Sequence, residues 1–408
     1  MGAVNAGDTA WVLASAALVM LMTPALGFFY GGLVRRKNVL STLMHSFVAL
    51  CIVSVQWVLW GYTLAFGPDW HGIVGSLAWI GFAHVGATPN ADYAATIPHA
   101  AFALFQMMFA VITPALITGA FAERKRFGAF VLFTVLWATF VYDPIAHWVW
   151  GHGGWLARLG ALDFAGGTVV HVSSGVAALV AAWVLGPRIG KAREHEPHDR
   201  RMMLLGASLV WFGWFGFNAG SALAANGLAA IAFVNTDVAA AMGALVWMTI
   251  AWYRDGAPNS TGAAAGAVAG LVAITPAAGF VTPAAGILIG GIAAAACYAA
   301  VKLRERMRVD DALDVFPVHG IGGTVGALLT GVFATTIINA GGANGLAYGN
   351  PKQFAIQCVA VAASWAYTIV VTFVILKVVM LLVPLRVSER EERLGLDVTQ
   401  HAEAAYVH

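Results

Sequence analysis

Two histidines lie inside long apolar stretches, where an ionisable side chain is costly and ordinarily faces a cavity or a partner. His171 stands in GGTVVHVSSGVAALV and His319 in DVFPVHGIGGTVGALLTG. Each follows a valine and is trailed by small residues that let helices, or a pore, come close. An imidazole in such a place can hold or pass a proton near neutral pH. For either histidine alone, a packed ring bonded to neighbouring backbone explains as much; two at matching places favour a shared chemical role. Asp163 precedes His171 by eight residues, which puts the imidazole roughly 12 Å along a helix that starts at the acid. A second set is GWFGFNAGSA (213–222), where Trp214, Phe217 with Asn218, and Ser221 recur on one helical face. In AFALFQMMFAVITPA (101–115), Phe102, Phe105 and Phe109 form a stripe, and PIAHWVWGHGG (144–154) sets Trp148 and Trp150 at a helix end. Singly, tryptophans there read as interfacial anchors.

The elements that must position these residues follow from composition. Of 408 residues 60% are hydrophobic and 10% charged, with mean hydropathy +0.78. Soluble domains carry about a quarter charged residues, so this chain cannot cover a water-facing surface, and a nucleic-acid binder is excluded. Breaking the sequence at charges and Pro/Gly clusters leaves eleven apolar stretches able to span a bilayer. They are 9–33, 41–66, 98–122, 127–145, 165–187, 202–224, 235–253, 259–276, 283–303, 316–338 and 354–384. Asp237 is expected in the first turn of the seventh, where a carboxylate suits a helix N-terminus. With the N-terminus outside, the inner segments hold 19 of the 22 Lys and Arg, whereas the outer segments hold Arg158 and Lys352. The predicted fold is an all-α polytopic membrane protein with eleven transmembrane helices, N-terminus out and C-terminus in. Two inverted five-helix repeats (about 9–187 and 202–338) plus an extra helix (354–384) fill a transmembrane domain of 1–384, followed by a cytoplasmic tail, 385–408. Helices five and ten are then equivalent, and a pseudo-twofold brings His171 and His319 together near the midplane.

Cys51, Cys297 and Cys358 fall in apolar stretches and are expected as buried thiols. Residues 1–10 hold no Lys or Arg, so no basic signal-peptide start is present: a signal was removed, or the first helix inserts by itself. A metalloenzyme built on His147, His152 and Asp163 is a weak alternative, because the spacing of the two histidines fits no standard metal site. No metal and no cofactor are expected.

Six segments bear a resemblance to a known family: FYGGLVRRKNVLS (29–41), GAFAERKRF (119–127), LDFAGGTVVH (162–171), GWFGFNAGSA (213–222), RVDDALDVFPVHG (308–320) and LGLDVTQHAEAAY (394–406). Together they closely resemble the ammonium transporter/methylammonium permease/Rhesus family, on its bacterial ammonium-transporter branch. The resemblance runs end to end and implies the same eleven-helix topology, a homotrimer in the cell's inner (plasma) membrane with one pore per subunit, and ammonium or methylammonium as substrate. It implies an outer recognition site of Phe109, Trp150 and Ser221, a phenylalanine gate of Phe109 and Phe217, and a proton-handling pore pair, His171 and His319. Asp163 would hold structure near the site, with Trp214 beside it. Aromatic faces attract a desolvated cation by ~2 kcal/mol or more. Carrying an intact cation through an apolar pore costs several kcal/mol. Ammonium escapes that cost by shedding its proton, which potassium cannot do. The charged tail resembles the family's regulatory tail, and PII-class signalling proteins are the expected partners on that face. Two departures are Pro317, two residues before His319, and HAE at 401–403 where HGE is usual. An ammonium sensor signalling to a cytoplasmic partner is the alternative; no kinase or cyclase segment is fused here, which favours transport.

Overall fold

The computed structural model describes residues 3–190, 196–307 and 309–406. Lys191, Arg193, Glu194 and His195 of the inner connection, and Arg308, lie outside the described residues. Among the described residues, eleven apolar helices form one bundle: α1 (Ala6–Leu33), α2 (Arg36–Phe66), α3 (His99–Phe121), α4 (Phe127–Leu159), α5 (Gly167–Leu185), α6 (Arg200–Ala222), α7 (Gly227–Asp255), α8 (Ser260–Ile274), α9 (Pro283–Met307), α10 (Phe316–Phe333) and α11 (Pro351–Leu382). Ten are long enough to cross a bilayer; α8, at 15 residues, is the short one. A two-residue hairpin, β1 (Asp69–Trp70) against β2 (Val74–Gly75), closes the α2–α3 connection. Two tail helices, α12 (Glu389–Leu394) and α13 (Leu396–His401), follow.

Side-chain caps decide where several helices begin. Asn5 starts α1 by accepting from Asp8 N–H at 3.0 Å, and Asp199 starts α6 through Arg201 and Met202. Asn226 accepts from Leu228 N–H (3.0 Å) and Ala229 N–H (3.1 Å) and so starts α7 ahead of the expected 235. Asp237 is therefore in the interior of α7, on an exposed face, and not in its first turn. The three cysteines are free, but of them Cys297 alone is buried as expected: Cys51 is exposed on α2 and Cys358 is partly exposed on α11.

Small residues let the two halves approach. A Cβ on Gly206 of α6 would lie 2.2 Å from Phe29 N of α1, so these two helices touch backbone to backbone. The crossing of α5 with α10 is tighter: a Cβ on Gly175 would lie 2.0 Å from Gly320 N. The tail is pinned to the bundle. Asp397 accepts from Leu40 and Ser41 N–H at 3.1 and 2.8 Å, capping a turn of α2, and Leu396 N–H donates to Asn38 Oδ1 at 2.8 Å.

Candidate functional site

The turn before α5 is built around Asp163. Its carboxylate accepts from the N–H groups of Gly166 (2.7 Å), Gly167 (2.6 Å), Thr168 (2.7 Å) and Val169 (3.3 Å), and from Thr168 Oγ1 at 2.5 Å. Helix α5 opens with a π-helical turn, Gly167–Val172, that carries His171. The residues after Asp163 are a capping turn, so His171 lies four residues into the helix, about 6 Å along it rather than 12 Å. Helix α10 opens the same way: the π-helical turn Phe316–Ile321 carries His319. Such turns recur at functional sites because they re-aim side chains. Pro317 sits at the start of that turn, where its missing N–H leaves no helix bond unmade.

Sequence reading missed the inner counterpart of Asp163. Asp311 is buried, lies eight residues before His319, and its Oδ2 accepts from Phe316 N–H at 2.6 Å. The signal was present, since the same Asp-to-His interval occurs in both halves. Burial and the neighbouring Asp314 push the Asp311 carboxyl up to about 7, against the lowering effect of the Phe316 N–H.

Both histidines are buried, and the structure brings them together. His319 Nδ1 lies 3.2 Å from His171 Nδ1, with ring centroids 5.3 Å apart at 27°. One nitrogen donates and the other accepts, so the two rings share one proton as a unit. Trp214 stacks on His171 (5.3 Å, 23°) and anchors its own N–H on Thr275 Oγ1 at 2.9 Å, a partner the sequence did not announce. Asn218 turns away, donating to Thr236 Oγ1.

Beside the imidazoles lies a chamber of about 10 Å³, lined by Leu26, Ile112, Val210 and Phe217 with both histidines. Phe217, which lines it, packs against Phe109, their centroids 4.2 Å apart at 35°. Trp150 stands edge-on to Phe109 at 5.9 Å and 88°, and its Nε1 donates to Asp163 O at 2.9 Å. Ser221 lies one turn beyond Phe217 and donates to its carbonyl at 2.9 Å. On the other side of the histidines, a cavity of about 200 Å³ is lined by His319, Val318, Asp314, Trp247 and Thr261.

Three sequence candidates go elsewhere. Phe102 stacks on Tyr93 (4.9 Å, 16°), outside the Phe105–Phe109 pair. Trp148 donates to Ile73 O at 2.8 Å. His147 bonds Ala65 O and Asp69, while Asp163 serves its own turn, so the His147, His152 and Asp163 set is not assembled.

A charged frame underlies the inner ends. Glu123 is buried and receives Arg35 Nε (3.0 Å), Asn38 Nδ2 (2.9 Å) and Arg188 Nη1 (3.1 Å), and Arg188 also grips Asp310 at 2.9 Å. Burial raises the Glu123 carboxyl, but the Arg188 and Arg35 guanidiniums outweigh it and hold it at about 2.

Residues 10–406 match the family model described as Ammonium Transporter Family. Over 401 residues the chain is 57% identical to the ammonium transporter of Bacillus subtilis (strain 168), covering 98% of each. The fold is similar to the crystal structure of Saccharomyces cerevisiae Mep2, with a TM-score of 0.90 at 39% identity over 99% of this chain and 92% of that one. A Sensor Amt Protein is similar at a TM-score of 0.89 and 30% identity, over 97% of this chain and 98% of that one.

Proposed function

This chain belongs to the ammonium transporter family, and from that premise we propose that it recruits ammonium at Phe109, Trp150 and Ser221, takes a proton from it below the Phe109–Phe217 gate, and conducts ammonia past His171 and His319. The observation that carries the reading is the imidazole pair, Nδ1 to Nδ1 at 3.2 Å, beside an apolar chamber lined by Phe217, which packs against Phe109. Aromatic faces attract a desolvated cation by ~2 kcal/mol or more. The chamber offers such a cation no replacement for its hydration shell, so crossing intact costs several kcal/mol. Transfer of one ammonium proton to the imidazole unit leaves neutral ammonia, which crosses apolar walls cheaply. Potassium has no proton to give and stays outside.

The test is purified protein in liposomes, given an ammonium jump, with charge movement and internal pH recorded together. His171→Ala with His319→Ala abolishes coupled transport, and His171→Asp admits potassium. A double alanine variant that still carries ammonium current selectively over potassium overturns the mechanism. The same liposomes contain no signalling partner, so robust flux in them also decides against a purely sensing role, the reading suggested by the likeness to a Sensor Amt Protein.

We extend the proposal to a homotrimer in the plasma membrane, as the family resemblance implies. A PII-class protein is the proposed partner on the face carrying α12 and α13. Mass measurement in detergent tests the first, and co-elution with and without residues 386–408 tests the second.

A further inference from the structure

Trp150 ends the unbroken run of α4, so its position depends on what holds that helix end. The holding group lies three residues earlier. His147 is fully buried, with Nδ1 3.0 Å from Ala65 O in the last turn of α2 and Nε2 3.0 Å from Asp69 Oδ1 in β1. Both facing atoms are acceptors, so the ring bridges the end of α2 and the hairpin through its two nitrogens. The chain after Trp150 folds over this ring. A Cβ on Gly151 would lie 2.5 Å from His147 Nδ1, and one on Gly154 only 2.0 Å from His147 O.

Asp69 is itself anchored to the hairpin. Its Oδ1 accepts from Gly72 N–H at 2.6 Å, while Gly72 O accepts from Trp155 N–H at 3.1 Å. Burial raises the Asp69 carboxyl, but hydrogen bonds from His147 and Gly72 outweigh it and hold it below the usual carboxylate range, with Arg158 as the further cation nearby. The hairpin thus grips α4 before Trp150 through His147 and Trp148, and after it through Trp155. The indole N–H, donated to Asp163 O, fixes the other side.

We propose that His147, clamped between Ala65 O and Asp69, is a positioning residue for Trp150: it sets how the indole meets Phe109, and so the affinity of the outer site for ammonium-type cations. This rests on the reading of Trp150 as a recruiting group. Neither His147 nor Asp69 touches the substrate; both act through the end of α4.

The experiment is concentration-dependent methylammonium uptake by purified protein in liposomes, for His147→Gln, Asp69→Asn, Trp150→Leu and the double variants. The clamp variants raise apparent KM roughly five- to tenfold with Vmax little changed, short of the hundredfold that an ångström of misplacement costs a reacting pair. In the Trp150→Leu background the same substitutions add nothing further, because they act through a ring that is gone. Unchanged KM in both clamp variants overturns the inference, and so does an effect that multiplies with Trp150→Leu. Should His147→Gln not insert, Asp69→Asn, at a partly exposed position, carries the cycle alone. Trp150→Leu raising KM while neither clamp variant does sinks only the clamp; Trp150→Leu leaving KM unaltered sinks the recruiting reading and the clamp with it.

Discussion

The two ends of the path past His171 and His319 are held together by different physics. Around Phe109, Phe217 and Trp150 the contacts are ring against ring and neutral hydrogen bonds to the carbonyls of Asp163 and Phe217. At the inner end, Arg35, Arg188 and Asp310 form an ion network around the buried Glu123, and Asp314, paired with Arg304, borders the larger cavity. The difference follows from what each end must meet. A weak aromatic attraction for a cation is easily swamped by a fixed positive charge nearby, so on the proposed mechanism the rings themselves gain from neutral direct contacts, with the Asp69 carboxylate set back in the hairpin. On the proposed mechanism the inner end receives neutral ammonia, to which fixed charges are nearly indifferent, and there they can serve stability.

That contrast makes the inner end the place where a single substitution costs stability. Glu123→Ala strands Arg35 and Arg188 without their shared carboxylate, and an expected loss of ~3–5 kcal/mol is measured by unfolding in detergent. An effect no larger than that of an outer-site variant would break the comparison.

Asp311→Asn comes next and reads through pH. The Asp311 carboxyl sits at about 7 in the fold and near 3.9 in an unfolded chain. The stability it contributes is therefore complete below about pH 4 and is lost as pH rises through about 7. Asparagine still accepts from Phe316 N–H and cannot ionise. Its stability advantage over the unmutated chain grows across that window to roughly 2–4 kcal/mol and is flat above it. Melting curves at pH 5, 6, 7 and 8 test this; an advantage that shrinks as pH rises contradicts it.

Trp150→Leu sharpens the outer side of the contrast. Apparent affinity for methylammonium falls roughly tenfold, about 1.4 kcal/mol, while the melting temperature stays put. The smallest effect lies in the tail. Ala402 ends α13 with φ +55°, a left-handed conformation that costs a residue with a Cβ. Ala402→Gly steadies the tail by ~1 kcal/mol, seen as slower hydrogen exchange across 389–401 with transport unaffected.

The eleven helices were legible because apolar runs of membrane length alternate with clustered Lys and Arg, a pattern that any bilayer imposes. Boundaries were less so. Asp237 drew the start of α7 inward, although Asn226 is the residue whose side chain caps the backbone. Cys51 was judged by its apolar neighbours, which cannot distinguish a lipid-facing side of α2 from a packed one. Motifs marked the histidines and the small residues beside them, but not the π-helical turns that carry them or the partner that each glycine meets at the Gly175–Gly320 crossing. Asp311 was readable from its interval to His319; Thr275 and the His147–Asp69 pair were not, because their partners are brought together only by tertiary packing.

The chamber between Phe217 and the histidines has one more consequence. At about 10 Å³, it has room for about one molecule the size of water. On the proposed mechanism passage is then a queue of one: the next arrival cannot push its predecessor forward, and flux reaches a ceiling set by a single residence time however steep the gradient. A molecule one methyl group larger must take its extra volume from Leu26, Ile112 and Val210, side chains that yield only by rearranging with their neighbours. The permeation ceiling for methylamine therefore lies below that for ammonia, even where the outer aromatics bind the two cations alike.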